Sequence, residues 1–280
     1  WNSARFVFMN LEASPNGLKE LSSEALSQGL DLSTCNLEDF WILNQLQHTI
    51  REGIQHLESY EFDKVSALFY AFFWDKFCAY YLEIVKPVLF GKAGDERKRQ
   101  NKQIILVIVL LASLRLMHPL APFITEEIFQ RLKNLFGDCK ARTTIDPYTQ
   151  QTLLALESPA CILAPYPEVL PLIFEESVAA DFALLESIVY QIRNIRGQMQ
   201  MPPQVPCDIY FVSSSSSTLK TLLENNQLLI TALVKVGQMI FTSSLPDHLG
   251  FATSTSLQDI EMVIPLPSEL KEKEKQRLLS

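Results

Sequence analysis

The feature that most restricts the fold is a series of long helical patterns between residues 37 and 117. In residues 37–60 apolar side chains recur every three to five positions, and residues 61–86 repeat the pattern with more aromatic side chains. A third pattern runs from Asp95 to Met117 and ends in an almost wholly apolar half. This spacing predicts amphipathic helices that pack through their apolar faces. Short connections between them predict a mainly α fold, an antiparallel helix bundle.

Prolines mark where these helices are expected to end. Pro87 should end the second helix, because proline has no backbone N–H and clashes with the preceding turn. Pro119 and Pro122 break the third helix, and a fourth helix then runs to near Phe136. Residues 1–10 are expected to be the end of a helix that begins outside the chain, so we interpret the chain as a piece of a longer protein.

The character of the chain changes after the fourth helix. Residues 138–174 contain five prolines and predict an irregular connection. A further helical pattern and several short strand patterns follow it and predict a small α+β unit. The predicted parts are a helical bundle over 1–137, the connection over 138–174, the α+β unit over 175–267 and the start of a truncated charged helix, or coiled-coil arm, over 268–280.

The chain lacks the motifs of self-contained catalysis. It contains no GxGxxG, GxxxxGKS, HExxH or GxSxG string, and its four histidines are scattered. Glycine is scarce, with 9 among 280 residues, which disfavours a doubly wound nucleotide-binding fold with its glycine-rich turns. The sequence therefore predicts a binding protein with no catalytic residues of its own.

Cysteine usage and hydropathy limit the metal, redox and membrane possibilities. The five cysteines form no CxxC pair and no Cys/His cluster, so neither a zinc site nor a disulfide framework is predicted. Free thiols fit a reducing compartment, and we expect a cytoplasmic protein. The longest apolar run, Ile104–Ala112, has nine residues. A membrane span needs roughly 18 or more, so we predict a buried helix and no membrane partner.

The formal net charge of −8 at first argues against a nucleic-acid partner. The charge is unevenly distributed, because residues 1–137 carry −2 and residues 138–280 carry −6. Within the bundle, residues 86–102 have a local net charge of +4. The basic residues of this stretch are Lys86, Lys92, Arg97, Lys98, Arg99 and Lys102. Such a patch can bind an RNA backbone, or it can be a solvated helix face.

Two other features fit an RNA partner. Arg193 and Arg196 lie three positions apart on a predicted helix, with no acidic residue in 187–207, and so share a face. Trp41 lies in the first turns of its helix beside a polar loop, where an aromatic ring can stack on an unpaired base. Most aromatic residues in the second helix are instead spaced for the core.

Several segments together resemble the valyl-tRNA synthetase family, and they fall in the same order as in that family. They are WNSARFVFMN at 1–10, FWDKFCAYYLEIVKP at 73–87, LMHPLAPFITEEIFQRL at 116–132, APYPE at 164–168 and RNIRGQMQMPP at 193–203. The HPLAPFITEEI string is shared loosely with class I synthetases for isoleucine and leucine. The FCAYYLEIVKP and RNIRGQM strings resemble the valine enzymes more closely.

The resemblance implies the helical anticodon-binding bundle of a class I synthetase, followed by a small C-terminal unit. It implies a monomeric parent enzyme, an aminoacyl-tRNA synthetase that joins valine to tRNA with ATP and Mg²⁺. HIGH-like and KMSKS-like motifs do not occur in this chain. The chain is therefore expected to hold no cofactor or metal, and to recognise valine tRNA isoacceptors beside the parent's catalytic domain.

Residue roles carry over only in part from this resemblance. The family often has an Asp-Arg-aromatic string where this chain has Asp39, Phe40 and Trp41, so the aromatic residue is kept and the arginine is missing. The resemblance implies that this string lies close to the anticodon. We therefore expect Asp39 at the tRNA site, with Trp41 as the stacking residue.

The opening and C-terminal motifs supply the remaining candidates. The resemblance implies that Trp1 and Asn2 lie at the junction with the catalytic domain, and it makes Arg5 a candidate for tRNA contact as well. Arg193 and Arg196 match the C-terminal motif, where they could bind tRNA or hold the small unit against the bundle.

Two alternatives stay open at this point. The chain could be the equivalent region of an isoleucyl- or leucyl-tRNA synthetase. It could also be a helical protein-interaction module without an RNA ligand, which would explain its acidic total charge and aromatic-rich helices. Salt dependence separates RNA binding from protein interaction, since phosphate contacts weaken steeply as salt rises.

Overall fold

The computed structural model contains two compact units, Trp1–Val178 and Ala179–Ser280, which we describe separately. The residues that it describes are 1–13, 17–136, 139, 146–170, 177–202, 205–213, 218–246, 252–257 and 260–265. The predicted charged helix over 268–280 lies outside these residues, as do parts of the predicted connection. The predicted order, a helical part followed by a mixed part, is confirmed.

The first unit is built from helices. They are α1 (Asn2–Leu11), α2 (Ser23–Gln28), α3 (Leu37–Glu58), α4 (Phe62–Ala71), α5 (Leu82–Leu89), α6 (Glu96–Met117), α7 (Pro122–Phe136) and α8 (Pro147–Glu157). A π-helical segment, Phe72–Tyr81, joins α4 to α5, and short 3₁₀ turns occur at Leu32–Thr34 and Cys161–Leu163.

Helix α6 forms the centre of the first unit. It contacts α1, α3, α4, α5, α7 and α8, and every residue from Ile104 to Ala112 is buried. The apolar run of the sequence is therefore a core helix, as predicted. By length and composition alone α6 could cross a membrane, but 89% of its most apolar window is buried inside the fold.

The second predicted helix is continuous from Phe62 to Leu89, with the π-helical segment in its middle. Contrary to the prediction, Pro87 lies inside α5 and does not end the helix. Pro87 removes one backbone donor near the helix end, whereas Val88 and Leu89 beyond it become buried. The burial of these two side chains, about 1.5–3 kcal/mol each, offsets the missing hydrogen bond.

A helix also interrupts the predicted irregular connection. Helix α8 packs against α2, α6 and α7 of the first unit. It starts at Pro147, and proline is tolerated there because the first N–H of a helix has no hydrogen-bond partner within the helix. Asp146 caps the helix by accepting a hydrogen bond from the Thr149 N–H at 2.8 Å. The interpretation of all of 138–174 as irregular is therefore wrong, because this proline begins a helix.

The second unit combines helices with one sheet. Its elements are α9 (Ser177–Gln198, all but the first two residues), β1 (Cys207–Val212), α10 (Thr218–Asn225), α11 (Gln227–Leu233), β2 (Val236–Thr242), β3 (Ala252–Leu257) and β4 (Ile260–Pro265). The strand order is β2-β1-β4-β3, with β1 parallel to β2 and the other pairs antiparallel. Helices α10 and α11 form the crossover that two consecutive parallel strands require. The predicted α+β unit is confirmed.

Gly53 in α3 allows a close approach of the buried Phe69 ring in α4. A Cβ atom at position 53 would lie 2.6 Å from Cε1 and 2.9 Å from Cζ of that ring. We expect Gly53→Ala to lower the free energy of unfolding by about 1–3 kcal/mol, as overpacking does. This sign is the reverse of the usual one, since alanine normally favours a helix interior by about 1 kcal/mol over glycine. Urea unfolding followed by circular dichroism measures the change.

Gly197→Ala in α9 is the matched control, because no described atom beyond its chain neighbours and its own helix backbone lies within 4 Å of a Cβ built there. This variant should be neutral or more stable, by up to about 1 kcal/mol. A Gly53→Ala variant as stable as the parent would contradict the packing argument.

Candidate nucleic-acid interface

A buried charged cluster lies where α3 begins. The Lys102 ammonium group of α6 donates to Glu38 Oε1 at 2.6 Å and to Asp39 Oδ2 at 2.5 Å. Asp39 Oδ1 accepts from the Tyr81 hydroxyl at 2.8 Å. The backbone N–H of Asn36 donates to Asp39 Oδ2 at 2.9 Å, as at the N-terminus of a capped helix. The cluster therefore joins α3, α6 and the π-helical segment.

Burial and the single ammonium group shift the pKa values of the two carboxyl groups of the cluster in opposite directions. Burial raises the pKa of Asp39, with Lys102 opposing and the Glu38 charge adding to the shift. Burial would also raise the pKa of Glu38, but the charge of Lys102 and its hydrogen bond outweigh burial and lower that pKa. For Lys102 burial acts to lower the pKa, but the two carboxyl groups hold it above its ordinary value. The ammonium group thus stays charged inside the protein.

This cluster removes two residues from the predicted interface. Asp39 is completely buried and bonded to Lys102, so it offers no group to a base or phosphate. Trp41 is only 3% exposed. Its ring meets Tyr80 edge to face with centroids 6.3 Å apart, and the Lys76 ammonium group lies 5.8 Å from its centroid. The structure does not support the prediction that Trp41 stacks on a base, because the start of α3 is held against the core and the ring is buried.

The basic stretch 86–102 divides between the core and the surface. Arg99 and Lys102, three positions apart on α6, are both buried. The Arg99 guanidinium donates to the backbone carbonyl oxygens of Leu89 at 3.0 Å and Lys19 at 2.6 Å, and burial lowers its pKa. The structure does not support the prediction that Arg99 and Lys102 contact RNA, because their donors bond to groups inside the bundle.

Four basic side chains of this stretch remain partly or fully exposed: Lys86, Lys92, Arg97 and Lys98. Lys86 pairs with Glu83 one turn earlier, and Arg97 pairs with Asp31 at 2.6 Å. The other two lie in the turn before α6 and in its first turn, and neither forms an ion pair with any described residue. The surface left by this stretch therefore has mixed charge, with two cations available for an outside phosphate.

An open cleft of about 300 Å³ lies at α1. The residues that line it are Trp1, Ala4, Arg5, Phe8, Met9, Glu12 and Arg131. The Arg131 guanidinium lies 4.7 Å from the centroid of the half-exposed Trp1 ring. Two of the predicted residues, Trp1 and Arg5, thus share one cleft, whereas Asn2 is exposed but does not line it.

In the second unit Arg196 is buried and bonded to backbone carbonyl groups. It donates to the carbonyl oxygens of Lys235 and Val205, each at 2.6 Å, and of Pro202 at 3.0 Å. These contacts tie the end of α9 to the segments that lead into β1 and β2. The structure does not support the prediction that Arg196 contacts RNA, because the guanidinium donates to carbonyl groups of its own unit.

Arg193 lies one turn earlier on α9 and remains exposed. It donates to the carbonyl oxygen of Leu233 at 2.8 Å. Arg193, Arg196 and Lys235 are among the residues that line an open pocket of about 370 Å³. Arg193 is the predicted arginine of this motif that a ligand could reach.

Two residues that the sequence analysis did not single out lie together on the surface. Tyr70 of α4 and Trp74 of the π-helical segment are both largely exposed, and their rings are stacked. The inward positions of this helix are taken by Val65, Phe69 and Phe72, all buried. Tyr70 and Trp74 fall between these inward positions of the helical repeat. Their place outside the apolar face is the sequence feature that could have identified them as surface residues.

Comparison with known proteins gives consistent matches. A family model described as the anticodon-binding domain of tRNA ligase matches residues 39–211. A valine–tRNA ligase of Protochlamydia amoebophila is 44% identical over 99% of this chain and 29% of that protein. Valine–tRNA ligases of Chlamydia muridarum and Chlamydia caviae are 35% and 32% identical, each over 99% of this chain and 28% of the relative. The chain thus spans less than a third of the length of these relatives.

The buried cluster yields a stability prediction. Lys102→Met keeps much of the side-chain volume but leaves Glu38 and Asp39 buried without their cation, so we expect a loss of about 3–5 kcal/mol near neutral pH. Without the cation, burial raises both carboxyl pKa values in the folded state above those of the unfolded chain. The loss should therefore shrink as the pH falls through these raised pKa values. Urea unfolding at several pH values measures it.

Lys98→Met, one turn earlier on the same helix, is the control because Lys98 forms no ion pair with a described residue. It should change stability by less than about 0.5 kcal/mol, with no added pH dependence. If the Lys102→Met variant lost no more stability than this control, the cluster could not be the constraint that we describe.

Proposed function

The chain belongs to the family of tRNA ligase anticodon-binding domains, on its valine–tRNA ligase branch, and we propose that it recognises and positions valine tRNA through the anticodon region. The observation that carries this proposal is the family match, which extends from α3 of the first unit to β1 of the second. The relatives named above are valine–tRNA ligases, which favours this branch over the isoleucine and leucine enzymes.

In this proposal the chain is the recognition part of a longer ligase. The relatives are more than three times as long as the region that they share with this chain. We place the ATP- and Mg²⁺-dependent charging of tRNA with valine in the portions of the ligase outside this chain. The chain would contribute binding energy and orientation, which act at a distance from the reacting atoms.

The exposed cations at the turn between α5 and α6 support contacts with the tRNA backbone. Lys92 and Lys98 carry charges that no described acidic residue pairs. Arg97 is exposed as well, and its pair with Asp31 is a surface pair that a phosphate could replace. Backbone contacts of this kind position an RNA, whereas contacts to unpaired bases discriminate between sequences.

The cleft at α1 supports a contact with the rest of the ligase. Trp1 and Met9 expose large apolar surfaces there, and Arg131 and Glu127 form an ion pair close by. Exposed apolar residues beside charged ones are typical of an interface between domains. We therefore propose that this cleft packs against the parent's catalytic portion.

Binding of valine tRNA transcripts across a salt series tests the proposal. We expect the chain to bind a labelled transcript at low salt, with an affinity that falls steeply as salt rises, because phosphate contacts release counterions. A transcript with an altered anticodon should bind at least about fivefold more weakly, since one base contact contributes about 1–3 kcal/mol. Fluorescence anisotropy measures both effects.

A double variant, Lys92→Ala with Lys98→Ala, should reduce the slope of log affinity against log salt by about 2. Lys64→Ala in α4 is the control, because Lys64 already pairs with Glu61 at 2.6 Å. Failure to bind tRNA even at low salt would favour a protein-interaction module. Binding that ignores the anticodon would contradict the recognition role.

A further inference from the structure

An exposed aromatic pair stands on the outer face of the helix that runs from α4 into the π-helical segment. The side chains of Tyr70 and Trp74 are 62% and 58% exposed. Their rings are nearly parallel, with an interplanar angle of 10° and centroids 6.1 Å apart. At that separation parallel rings are offset, and more than half of each side chain is in contact with solvent.

The arrangement of this helix explains why both rings point outward together. Phe69, Phe72 and Phe77 occupy its inward face and are buried in the core. Tyr70 and Trp74 lie four positions apart across the junction of α4 and the π-helical segment, so their side chains are neighbours on the opposite face. π-Helical backbone is rare and frequently occurs at functional sites.

The pair contributes little to the core of the first unit. Tyr70 and Trp74 leave more than half of their surfaces in water, whereas the core aromatic residues Phe69, Phe72 and Phe77 of the same helix are almost completely buried. Leaving two large aromatic side chains exposed side by side gives up the hydrophobic stabilisation that burying them would provide. Two exposed aromatic side chains at one place on the surface are consistent with a ligand that covers them when it binds.

The surroundings of the pair do not favour a large protein partner at this face. The neighbouring exposed positions on the helix are Ser66, Ala67, Ala71 and Asp75, which are small or charged. A stable protein interface buries about 800 Å² on each partner and has an apolar centre of several side chains. Two rings among small and charged residues provide far less, but their area matches one or two nucleotide bases.

We infer that Tyr70 and Trp74 form a stacking platform for an unpaired base of the tRNA anticodon loop. The inference rests on the proposed function and assigns to it the aromatic contact that Trp41 cannot make. Both residues lie within the 39–211 region that matches the anticodon-binding family. Every base has a flat π-face, so the platform would contribute affinity with little sequence preference of its own.

The charges near the pair indicate how it would bind. Asp75 is exposed next to Trp74, Asp63 lies at the start of α4, and the nearest cation on this helix, Lys76, is half-buried near the Trp41 ring. This setting does not attract a phosphate, but stacking needs no charge. The contribution of the platform should therefore be independent of salt, unlike that of Lys92 and Lys98.

Binding of a labelled hairpin with the sequence of the valine tRNA anticodon arm tests the inference on the 280-residue chain. Trp74→Ala should weaken binding by about 5- to 150-fold, and by the same factor at low and high salt. Trp74→Phe should restore most of the affinity, since a smaller ring still stacks. Phe123→Ala, which removes a 91% exposed aromatic side chain from α7, is the control and should leave binding unchanged.

A direct signal of stacking comes from Trp74 fluorescence in a Trp1→Phe variant. In that variant Trp74 is the exposed indole, because Trp41 is buried. The hairpin should quench its emission, whereas a blunt duplex without a loop should not. Circular dichroism spectra and unfolding curves of each variant show that the fold is retained.

The outcomes separate this inference from the proposed function. Suppose that the unsubstituted chain binds the hairpin, and that the Trp74→Ala and Tyr70→Ala variants bind it as tightly as the Phe123→Ala control. The platform is then excluded, while tRNA recognition stands. A loss that changes with salt, or that is equal for the blunt duplex, would also exclude stacking. If the unsubstituted chain does not bind the hairpin at low salt, the stacking platform and the proposed tRNA recognition both fail. If the unsubstituted chain self-associates and Trp74→Ala abolishes the self-association, the aromatic pair belongs to a protein contact instead.

Discussion

One ammonium group inside the helical bundle constrains how three elements of the first unit pack together. Lys102 lies between the carboxyl groups of Glu38 and Asp39, and the Tyr81 hydroxyl completes the group. Removing an ammonium ion and carboxylates from water is costly, so they are tolerated only where each finds its partner at hydrogen-bond distance. The register of α3 against α6 and the π-helical segment is therefore set by polar contacts as well as by apolar packing.

The basic surface that the structure exposes is smaller than the one that the charges of residues 86–102 predict. Two of the basic residues of 86–102 are buried, and two of the exposed ones pair with acids. A chain of net charge −8 would then bind RNA through a few local cations and through contacts that need no charge. The aromatic pair of Tyr70 and Trp74 supplies contacts of the second kind, which explains how an acidic chain could favour a polyanion.

The second unit uses a basic residue in a similar way. Arg196, in a motif that suggested RNA contact, donates to three backbone carbonyl groups of segments leading into β1 and β2. A guanidinium group has five donors in a planar fork, so it can satisfy several carbonyl groups at once where lysine could not. In both units arginine and lysine residues of recognisable motifs build the scaffold, and the residues left exposed are candidates for contact with a ligand.

The sequence by itself determined the long helices of the first unit, the core run Ile104–Ala112, the α+β character of the second unit and the family. These follow from periodicity and from the order of motifs along the chain. Proline positions determined less, because Pro87 lies inside α5 and Pro147 begins α8. Only the tertiary structure decided that Trp41, Asp39, Arg99, Lys102 and Arg196 are inside and that Tyr70 and Trp74 are outside. Lys102 shows the reason: its environment depends on carboxyl groups more than sixty positions away. Periodicity gives the phase of a helix, but which polar side chains turn inward depends on partners brought together by folding.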